Sequence, residues 1–185
     1  MGNIVALSYV SLDGVAERPD QWTMEYFVPE HATFAHGQLF ASDALLLGRV
    51  TYEGFAASWP NMEEQTGEFG VRMNTLPKYV VSTTLEKAEW NNSTVIRENV
   101  REEIAALKKR YDKDILVYGS MGLVDSLIEY GLLDELKLWL HPVVVGSGKK
   151  MFRDGAPLSK WTLAGTTVMA SSGTIVLDYR PAAAG

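Results

Sequence analysis

Apolar residues recur along the first part of the chain with two spacings, one typical of strands and one of helices. The apolar run from Ile4 to Val10 predicts a strand. The spacing between Met24 and Phe40 is compatible with a helix, whose start we expect at Pro29. The continuous apolar run from Ala44 to Leu47, which Gly48 ends, is typical of a strand that is buried on both faces.

The middle of the chain adds two helical stripes and one long polar stretch. The first helix is expected to end at Pro60, and its apolar residues, at positions i, i+3, i+4 and i+7, are Tyr52, Phe55, Ala56 and Trp59. Residues 61–76 are polar and contain glycine, which predicts a long mobile loop with room for one helical turn. Asn99 and Glu102 form a capping-box pattern at the start of a second helix, whose apolar stripe runs from Val100 to Tyr111.

Short strands and a terminal hairpin complete the pattern. The remaining predicted strands are residues 78–82, 94–96, 115–118, 136–140, 161–169 and 174–179. A helix follows residue 120 and is closed by Gly131 in a left-handed cap. Strand–helix alternation followed by a hairpin predicts an α/β fold with a mostly parallel central sheet, a C-terminal antiparallel hairpin and covering helices. We expect a single domain over residues 1–181 and a flexible tail at 182–185.

Composition narrows the function classes. The 185-residue chain has a formal net charge of −6 without a long run of one sign, which disfavours a nucleic-acid-binding surface. It contains no cysteine, which excludes disulfides, thiolate metal sites and cysteine nucleophiles. The three histidines lack ligand spacing, so we expect structural or surface roles for them and no metal site. No apolar run approaches the roughly 20 residues that span a bilayer, and the start lacks signal-peptide features, so we expect a cytoplasmic protein without membrane association.

Two predicted strand-to-helix junctions carry glycine and form the strongest candidate site. At the first, Gly48 permits close approach of a ligand, Arg49 adds positive charge and Thr51 adds a hydroxyl, a combination suited to a phosphate. The second, Gly119 to Gly122, is a similar glycine-containing turn after a buried strand. A plain turn also explains either junction alone. Two of them in one sheet favour a dinucleotide, because its pyrophosphate needs donors from both sides.

Three other positions have a functional and a structural interpretation. The loop Ser82-Thr83-Thr84 can hold an adenosine ribose and its 2′-phosphate, or can simply cap a turn. Asp13 can pass a proton to a substrate, or can form an Asx-turn with Gly14. Trp22 and Tyr26 can stack on a planar substrate, or can belong to the core. The sequence leaves these alternatives open.

The spacing of the motifs is similar to that of a known family. The motifs that carry the resemblance are Ser11-Leu12-Asp13-Gly14, Gly48-Arg49-x-Thr51-Tyr52-Glu53, Lys78 to Leu85, Gly119-Ser120, Gly131 to Leu136 and His141 to Lys149. Over nearly the whole chain they resemble the C-terminal reductase domain of the bifunctional riboflavin-biosynthesis deaminase–reductase and its stand-alone relatives. This resemblance implies a dihydrofolate reductase-like, three-layer α/β/α fold and NADPH as the cofactor.

The resemblance also implies a role for each candidate segment. The first junction corresponds to the site for the pyrophosphate and 2′-phosphate, the hydroxyl-rich loop to the adenosine side, and the second junction to a phosphate turn beside the nicotinamide. The loop that begins at Asp13 corresponds to one that lies near nicotinamide and substrate. The implied cofactor-binding residues are Gly14, Gly48, Arg49, Thr51, Ser82, Thr83, Thr84, Gly119, Ser120, Met121 and Gly122.

Two departures from the family pattern shape the expected function. The deaminase signature, H-x-E followed by P-C-x-x-C, is missing, which rules out zinc deamination. Dihydrofolate reductases hold the pterin ring with a carboxylate on the first helix, whereas that position falls near Ala32 here, with only Glu30 and Glu25 close by. We expect an NADPH-dependent reductase of a small heterocyclic or sugar-derived substrate. The alternative is a non-catalytic nucleotide-binding or dimerisation module of the same fold.

A homodimer is also expected. Trp139 and Trp161 lie near the terminal strands, where they either form an exposed patch that a partner subunit covers or belong to the monomer core.

Overall fold

Eight strands form one sheet in the computed structural model, which describes residues 1–182. In chain order they are β1 (Ile4–Val10), β2 (Ser42–Gly48), β3 (Lys78–Val81), β4 (Ser93–Ile96), β5 (Asp114–Tyr118), β6 (Glu135–Leu140), β7 (Trp161–Met169) and β8 (Thr174–Pro181). The strand order across the sheet is β4-β3-β2-β5-β1-β6-β8-β7. The strands from β4 to β6 in this order are all parallel, and β8 and β7 add an antiparallel edge.

Helices cover both faces of the sheet. They are α1 (Pro29–Phe40), α2 (Arg49–Ser58), α3 (Glu63–Thr66), α4 (Glu68–Thr75), α5 (Val100–Arg110) and α6 (Met121–Glu129). Buried residues of α1, α2 and α4 pack on one face of the sheet, and buried residues of α5 and α6 pack on the other. Successive residues of β2 alternate between these two cores, so its unbroken apolar run reflects burial on both sides. The predicted three-layer fold with a C-terminal hairpin is therefore confirmed.

Several predicted boundaries are confirmed to the residue. Strands β1 and β7 and the start of α1 at Pro29 lie where the sequence predicts them. Gly131 has a φ of 65°, the left-handed conformation expected of the residue that closes α6. The predicted flexible tail lies outside the described residues except for residue 182. Between residues 1 and 182, none of the helices is long and apolar enough to cross a bilayer.

The prediction of a mobile loop over residues 61–76 is wrong. The segment forms α3 and α4, and polar side chains fix it to the rest of the molecule. The amide nitrogen of Asn74 donates to the Trp59 carbonyl at 3.1 Å, while its amide oxygen accepts the Trp90 indole N–H at 2.7 Å. The Arg72 guanidinium donates to the Ser42 carbonyl. Long-range hydrogen bonds, rather than a broad apolar stripe, hold these short helices in place.

One smaller prediction also fails. Asn99 has a left-handed backbone (φ 49°) and makes no side-chain hydrogen bond to α5, so the predicted capping box does not form. Of the two interpretations of Trp139, the structure supports the second, because this residue is fully buried beneath α1 in the monomer core. Dimerisation stays a prediction, and half-buried Trp161 is the remaining candidate of the pair.

Candidate cofactor and substrate site

The candidate residues follow five neighbouring parallel strands at one edge of the sheet. In spatial order the strands are β3, β2, β5, β1 and β6, and the carboxyl ends of parallel strands lie at the same edge. The loops that leave them carry, in the same order, Ser82, Gly48, Gly119, Asp13 and His141. Ligands of open α/β sheets bind outside this edge, where the connections diverge to the two faces. The fold thus brings the separate sequence motifs to one crevice, hereafter the cleft.

The two glycine-bearing junctions touch each other. A Cβ atom placed on Gly48 would lie 2.3 Å from the Ser120 hydroxyl oxygen and 2.8 Å from the Ser120 Cβ. A Cβ placed on Gly119 would lie 3.9 Å from the Thr51 hydroxyl oxygen. Because strands β2 and β5 are direct neighbours, both turns open onto the same space, as a shared diphosphate site requires.

Each junction opens a helix whose first turn lacks a side-chain cap. Helix α2 has ten residues and is preceded by Gly48, which has no side chain; α6 has nine and is preceded by Ser120, whose hydroxyl makes no capping hydrogen bond. Unpaired N–H groups at a helix start, together with the helix dipole, attract anions. Met121 and Gly122 lie in the first turn of α6.

The second junction has an unusual backbone. Gly119 and Ser120 are consecutive residues with φ values of 56° and 54°. A left-handed conformation costs a non-glycine residue about 1–2 kcal/mol. Such strain persists where the surrounding structure requires it, and it is concentrated at ligand sites. The Gly119 N–H donates to the Leu7 carbonyl at 2.9 Å, which fixes the turn against β1.

Arg49 offers a positive charge at the first junction. Its guanidinium is exposed and pairs with Glu53 one turn along α2 at 2.8 Å. An exposed pair of this kind contributes only about 0.3–0.5 kcal/mol, so a phosphate can displace it at little cost. The Arg49 side chain is therefore available to an anionic ligand.

The hydroxyl-rich loop lies beside the first junction, because Gly48 is paired with Val81 across β2 and β3. Within it, the Ser82 hydroxyl accepts hydrogen bonds from the N–H groups of Thr84 and Leu85 at 3.2 and 3.0 Å. Ser82 thus has the turn-forming role that the sequence left open. The side chains of Thr83 and Thr84 are exposed.

Asp13 connects two loops at the cleft. Its carboxylate accepts hydrogen bonds from the Ser11 hydroxyl at 2.5 Å and from the N–H groups of Val145 and Gly146 at 3.1 and 2.8 Å. The bond from Ser11, followed by the two backbone bonds, lowers the pKa of Asp13 to about 2. Asp13 is therefore ionised at neutral pH and acts here as an acceptor; its role as a proton donor stays a prediction that this geometry does not support.

A largely buried cluster of aromatic and imidazole rings lies at the carboxyl ends of β1 and β6, beneath α1. We call Tyr9, His31, Trp139 and His141 the ring cluster. The Tyr9 ring lies 5.3 to 5.5 Å from each of the other three, and His31 lies 4.3 Å from Trp139. Trp22 and Tyr26, the predicted substrate residues, each lie 5.6 Å from His141. The predicted aromatic pair thus borders the ring cluster at the cleft.

Burial keeps the ring cluster uncharged. It lowers the pKa of His31 to about 4, with a smaller contribution from His141, and it also lowers the pKa of His141. It raises the pKa of Tyr9 to about 12. The Tyr9 hydroxyl and His31 Nε2 share a hydrogen bond of 2.9 Å. Both imidazoles and the phenol are therefore neutral at pH 7.

The sequence did not identify the ring cluster. The expected position of a ring-binding side chain on α1, near Ala32, is exposed, and α1 turns the preceding residue, His31, toward the sheet. The sequence did contain one indication of the cluster. Trp139 and His141 are two residues apart in the alternating pattern at the end of β6, which predicts that their side chains share one face. The parallel register pairs Tyr9 with Trp139, which adds Tyr9 to that face.

Comparison with solved structures shows the fold. A protein assigned to riboflavin biosynthesis from Shewanella sp. PV-4 superimposes with a TM-score of 0.76 at 16% identity, covering 97% of this chain and 99% of that one. Dihydrofolate reductase from Enterococcus faecalis, complexed with NADP(H), gives 0.64 at 16% identity, covering 97% and 96%. RibD from Acinetobacter baumannii gives 0.67 at 17% identity, covering 98% of this chain but 58% of that one.

Comparison of sequences identifies the family. The Bacillus subtilis (strain 168) protein YyaP, which is uncharacterised, is 33% identical over 139 residues, or 74% of this chain and 73% of the relative. The uncharacterised YwjB of the same organism is 27% identical over 161 residues, or 85% and 86%. The RibD C-terminal domain family matches residues 3–175. The chain therefore belongs to the RibD C-terminal domain family, and its fold is like that of dihydrofolate reductase.

Proposed function

We propose that the protein is an NADPH-dependent reductase of a small heterocyclic or sugar-derived substrate. The observation that carries the proposal is the contact between the two junctions, where Gly48 lies against Ser120 at the starts of two uncapped helices. This arrangement suits a diphosphate that receives N–H donors from both sides.

The residues present fit the cofactor. Gly48 and Ser120, with the first turns of α2 and α6, would hold the pyrophosphate, and Met121 and Gly122 belong to the same turn. Arg49, released from Glu53, would pair with the 2′-phosphate, and the exposed Thr83 and Thr84 hydroxyls are suited to the adenosine side. The Asp13–Gly14 loop would close the cleft beside the nicotinamide.

The cofactor and the protein would have separate roles in the reaction. Bound NADPH supplies a hydride to the substrate, and the protein supplies orientation and a shielded environment. Trp22 and Tyr26 would stack on the substrate ring, and the ring cluster behind them would exclude water from it. The ionised Asp13 would hold the loops of β1 and β6 together around the site.

A second candidate is a non-catalytic nucleotide-binding module. One observation favours it: near the expected position of the carboxylate, at Ala32, the residue of α1 that faces the sheet is the neutral His31. This candidate predicts NADPH binding without NADPH oxidation across a panel of pterin, flavin-precursor and aldehyde substrates. Absorbance at the nicotinamide band distinguishes the two, since the reductase oxidises the cofactor with at least one of them.

The cofactor is tested by fluorescence titration of NADPH and NADH against the wild-type chain and Arg49→Gln. Loss of a charge-assisted hydrogen bond costs about 1.5–3 kcal/mol, so Arg49→Gln should weaken NADPH binding by about ten- to a hundredfold. It should change NADH binding much less, because NADH lacks the 2′-phosphate. Arg101→Gln, which removes an exposed arginine of α5, is the matched control. No binding of NADPH to the wild-type chain at hundreds of micromolar would refute the proposal.

A further inference from the structure

A cavity of about 490 Å³ lies at the edge of the sheet opposite the cleft. Its floor is at the amino ends of four neighbouring strands, β2, β5, β1 and β6, whose first or second residues line it as Ser42, Asp114, Val5 and Glu135. The C-terminal half of α1 forms the other wall. Pockets for small molecules usually have volumes of about 300–1,000 Å³. The cavity can therefore hold a small ligand at a distance from the cofactor junctions.

Apolar side chains line one part of the cavity. Val5 and Leu116 are buried neighbours across β1 and β5, and half-buried Phe34 of α1 lies opposite them. The rim contains the exposed small residues Gly37 and Ala41, and a Cβ placed on Gly37 would meet nothing within 4 Å. An apolar group of a ligand can therefore enter without obstruction and pack on both walls.

Gln38 of α1 supplies an unsatisfied polar group to the same cavity. Its amide nitrogen and its amide oxygen are both buried, and neither has a hydrogen-bond partner among the described residues. A buried polar group that makes no hydrogen bond destabilises the folded state, and native proteins contain few of them. Two such atoms on one side chain of a cavity wall indicate a ligand with a polar group.

The positive charge of the cavity, on Lys137, is already neutralised. Its Nζ atom lies 2.5 Å from Glu135 Oε1 and 3.0 Å from Asp178 Oδ1. The other carboxylate oxygen of Glu135 lies 3.1 Å from the Arg180 guanidinium. These four charges balance one another. An anion would meet two carboxylates beside the Lys137 ammonium, so the cavity does not favour anions.

The negative charge of Asp114, by contrast, is not balanced. Between residues 1 and 182 its carboxylate forms no ion pair with a lysine, arginine or histidine. Burial, and then the carboxylate of Glu135, raise the pKa of Asp114 against the opposing attraction of Lys137. Asp114 is paired with Ser42 across β5 and β2, and the Ser42 hydroxyl donates to the backbone carbonyl of Gln38 at 2.8 Å. The unbalanced carboxylate and the unpaired amide therefore lie at the same end of the cavity.

We propose that this cavity is a second ligand site, which binds a small organic cation with an apolar body. A nitrogen group of the ligand would donate to the Asp114 carboxylate and to the amide oxygen of Gln38. Its apolar body would pack against Val5, Leu116 and Phe34, and the Gln38 N–H would be available to an acceptor on the ligand. The site is independent of the proposed reductase function.

Three planar probes of nearly equal size test the proposal: benzamidinium is a cation, benzamide is uncharged and benzoate is an anion. Benzamidinium should bind about tenfold or more tightly than either of the others, because hydrogen bonds between charged groups are the strongest. Binding is followed by NMR on the full chain at the side-chain amide of Gln38, which is identified by its absence from Gln38→Leu. Equally tight binding of benzamide or benzoate, or an unmoved Gln38 amide, would overturn the proposal.

The same titration with saturating NADPH locates the probe. We expect unchanged benzamidinium affinity, because the cavity and the cleft lie at opposite edges of the sheet. Displacement of benzamidinium by NADPH would place the probe in the cleft and overturn the proposal. If NADPH does not bind but benzamidinium moves the Gln38 amide with the expected preference, the cation site stands and the reductase proposal is wrong.

Variants separate the two polar contacts. Asp114→Asn should lower benzamidinium affinity about tenfold and change benzamide affinity by less than about twofold, whereas Asp112→Asn, at an exposed carboxylate nearby, is the matched control. Gln38→Leu should lower benzamidinium affinity about two- to tenfold without lowering the melting temperature, since it removes two unpaired buried atoms. Gln65→Leu, at an exposed glutamine of α3, is its control. Unchanged benzamidinium affinity in folded Asp114→Asn would refute the site, and the wild-type probe preference decides the matter if the variants do not fold.

Discussion

Replacing Gly48 with alanine tests whether the two junctions touch. The backbone of Gly48 is extended (φ −79°, ψ 161°), so alanine is conformationally allowed there. The new methyl group, however, would lie 2.3 Å from the Ser120 hydroxyl oxygen and 2.8 Å from the Ser120 Cβ. A rotation of the hydroxyl relieves the first contact, but the second involves an atom attached directly to the turn. The turn must therefore move.

The expected magnitude follows from opposing effects. Overpacking typically costs about 1–3 kcal/mol, and alanine recovers about 0.4–1 kcal/mol by restricting the unfolded chain, so Gly48→Ala should destabilise by about 1–2 kcal/mol. Ser120→Gly relieves about 1–2 kcal/mol of backbone strain and loses a similar or smaller amount to unfolded-state entropy. The double variant has no clash, so the coupling between the two positions should be about 2 kcal/mol.

The assay is a double-mutant cycle measured by urea unfolding. Gly54→Ala is the control, because a Cβ at this exposed glycine of α2 meets nothing within 4 Å. It should stabilise the protein by about 0.5–1 kcal/mol. NADPH affinity should fall in Gly48→Ala and recover in the double variant. If the effects of Gly48→Ala and Ser120→Gly add to within about 0.5 kcal/mol, the junctions do not touch and the shared diphosphate site loses its basis.

Two further predictions concern buried basic groups. Lys78 is fully buried and donates to the carbonyls of Asn74, Leu76 and Asn91 at 2.8–2.9 Å, so Lys78→Met should destabilise by about 3 kcal/mol or more in urea unfolding, whereas exposed Lys87→Met should change little. Burial lowers the pKa of His31 from its ordinary value of 6.5 to about 4 in the folded protein, so the unfolded chain binds more protons between these pH values. The free energy of unfolding should therefore fall as pH falls from about 6.5 to 4, and less steeply in His31→Phe; equal slopes would refute the low folded-state pKa.

The strands and the two glycine-bearing junctions were predictable because short segments determine them. An apolar run between turn residues is sufficient to place β1 and β7, and a glycine at the end of such a run marks a strand-to-helix junction. Parallel strands then place Gly48 and Gly119 at one edge whichever helices intervene. The sequence could not predict that the two junctions touch, because the contact depends on β2 and β5 being neighbours in the sheet.

The helices of residues 61–76 and the ring cluster were not predictable, for a different reason. Asn74 is typical of loops by residue type, and its partners Trp59 and Trp90, which are distant in the chain, explain why it lies on the buried side of α4. The sequence does not decide the role of His31 or of His141. Their shared environment becomes visible only in the fold, where α1 brings His31 next to Trp139 and His141. Features made by distant residues leave weak local signals.

The central place of β1 has a consequence for biosynthesis. Of the eight strands this one is synthesised first, yet its sheet partners lie more than 100 residues further along the chain: Ile4 pairs with Ile115 of β5, and Ala6 with Leu136 of β6. Until those segments emerge, an apolar strand with two unsatisfied edges remains open to other nascent chains. Co-expression of a chaperone, or expression at a low growth temperature, should therefore raise the yield of native protein. The gain should exceed that from a stabilising substitution in the C-terminal hairpin.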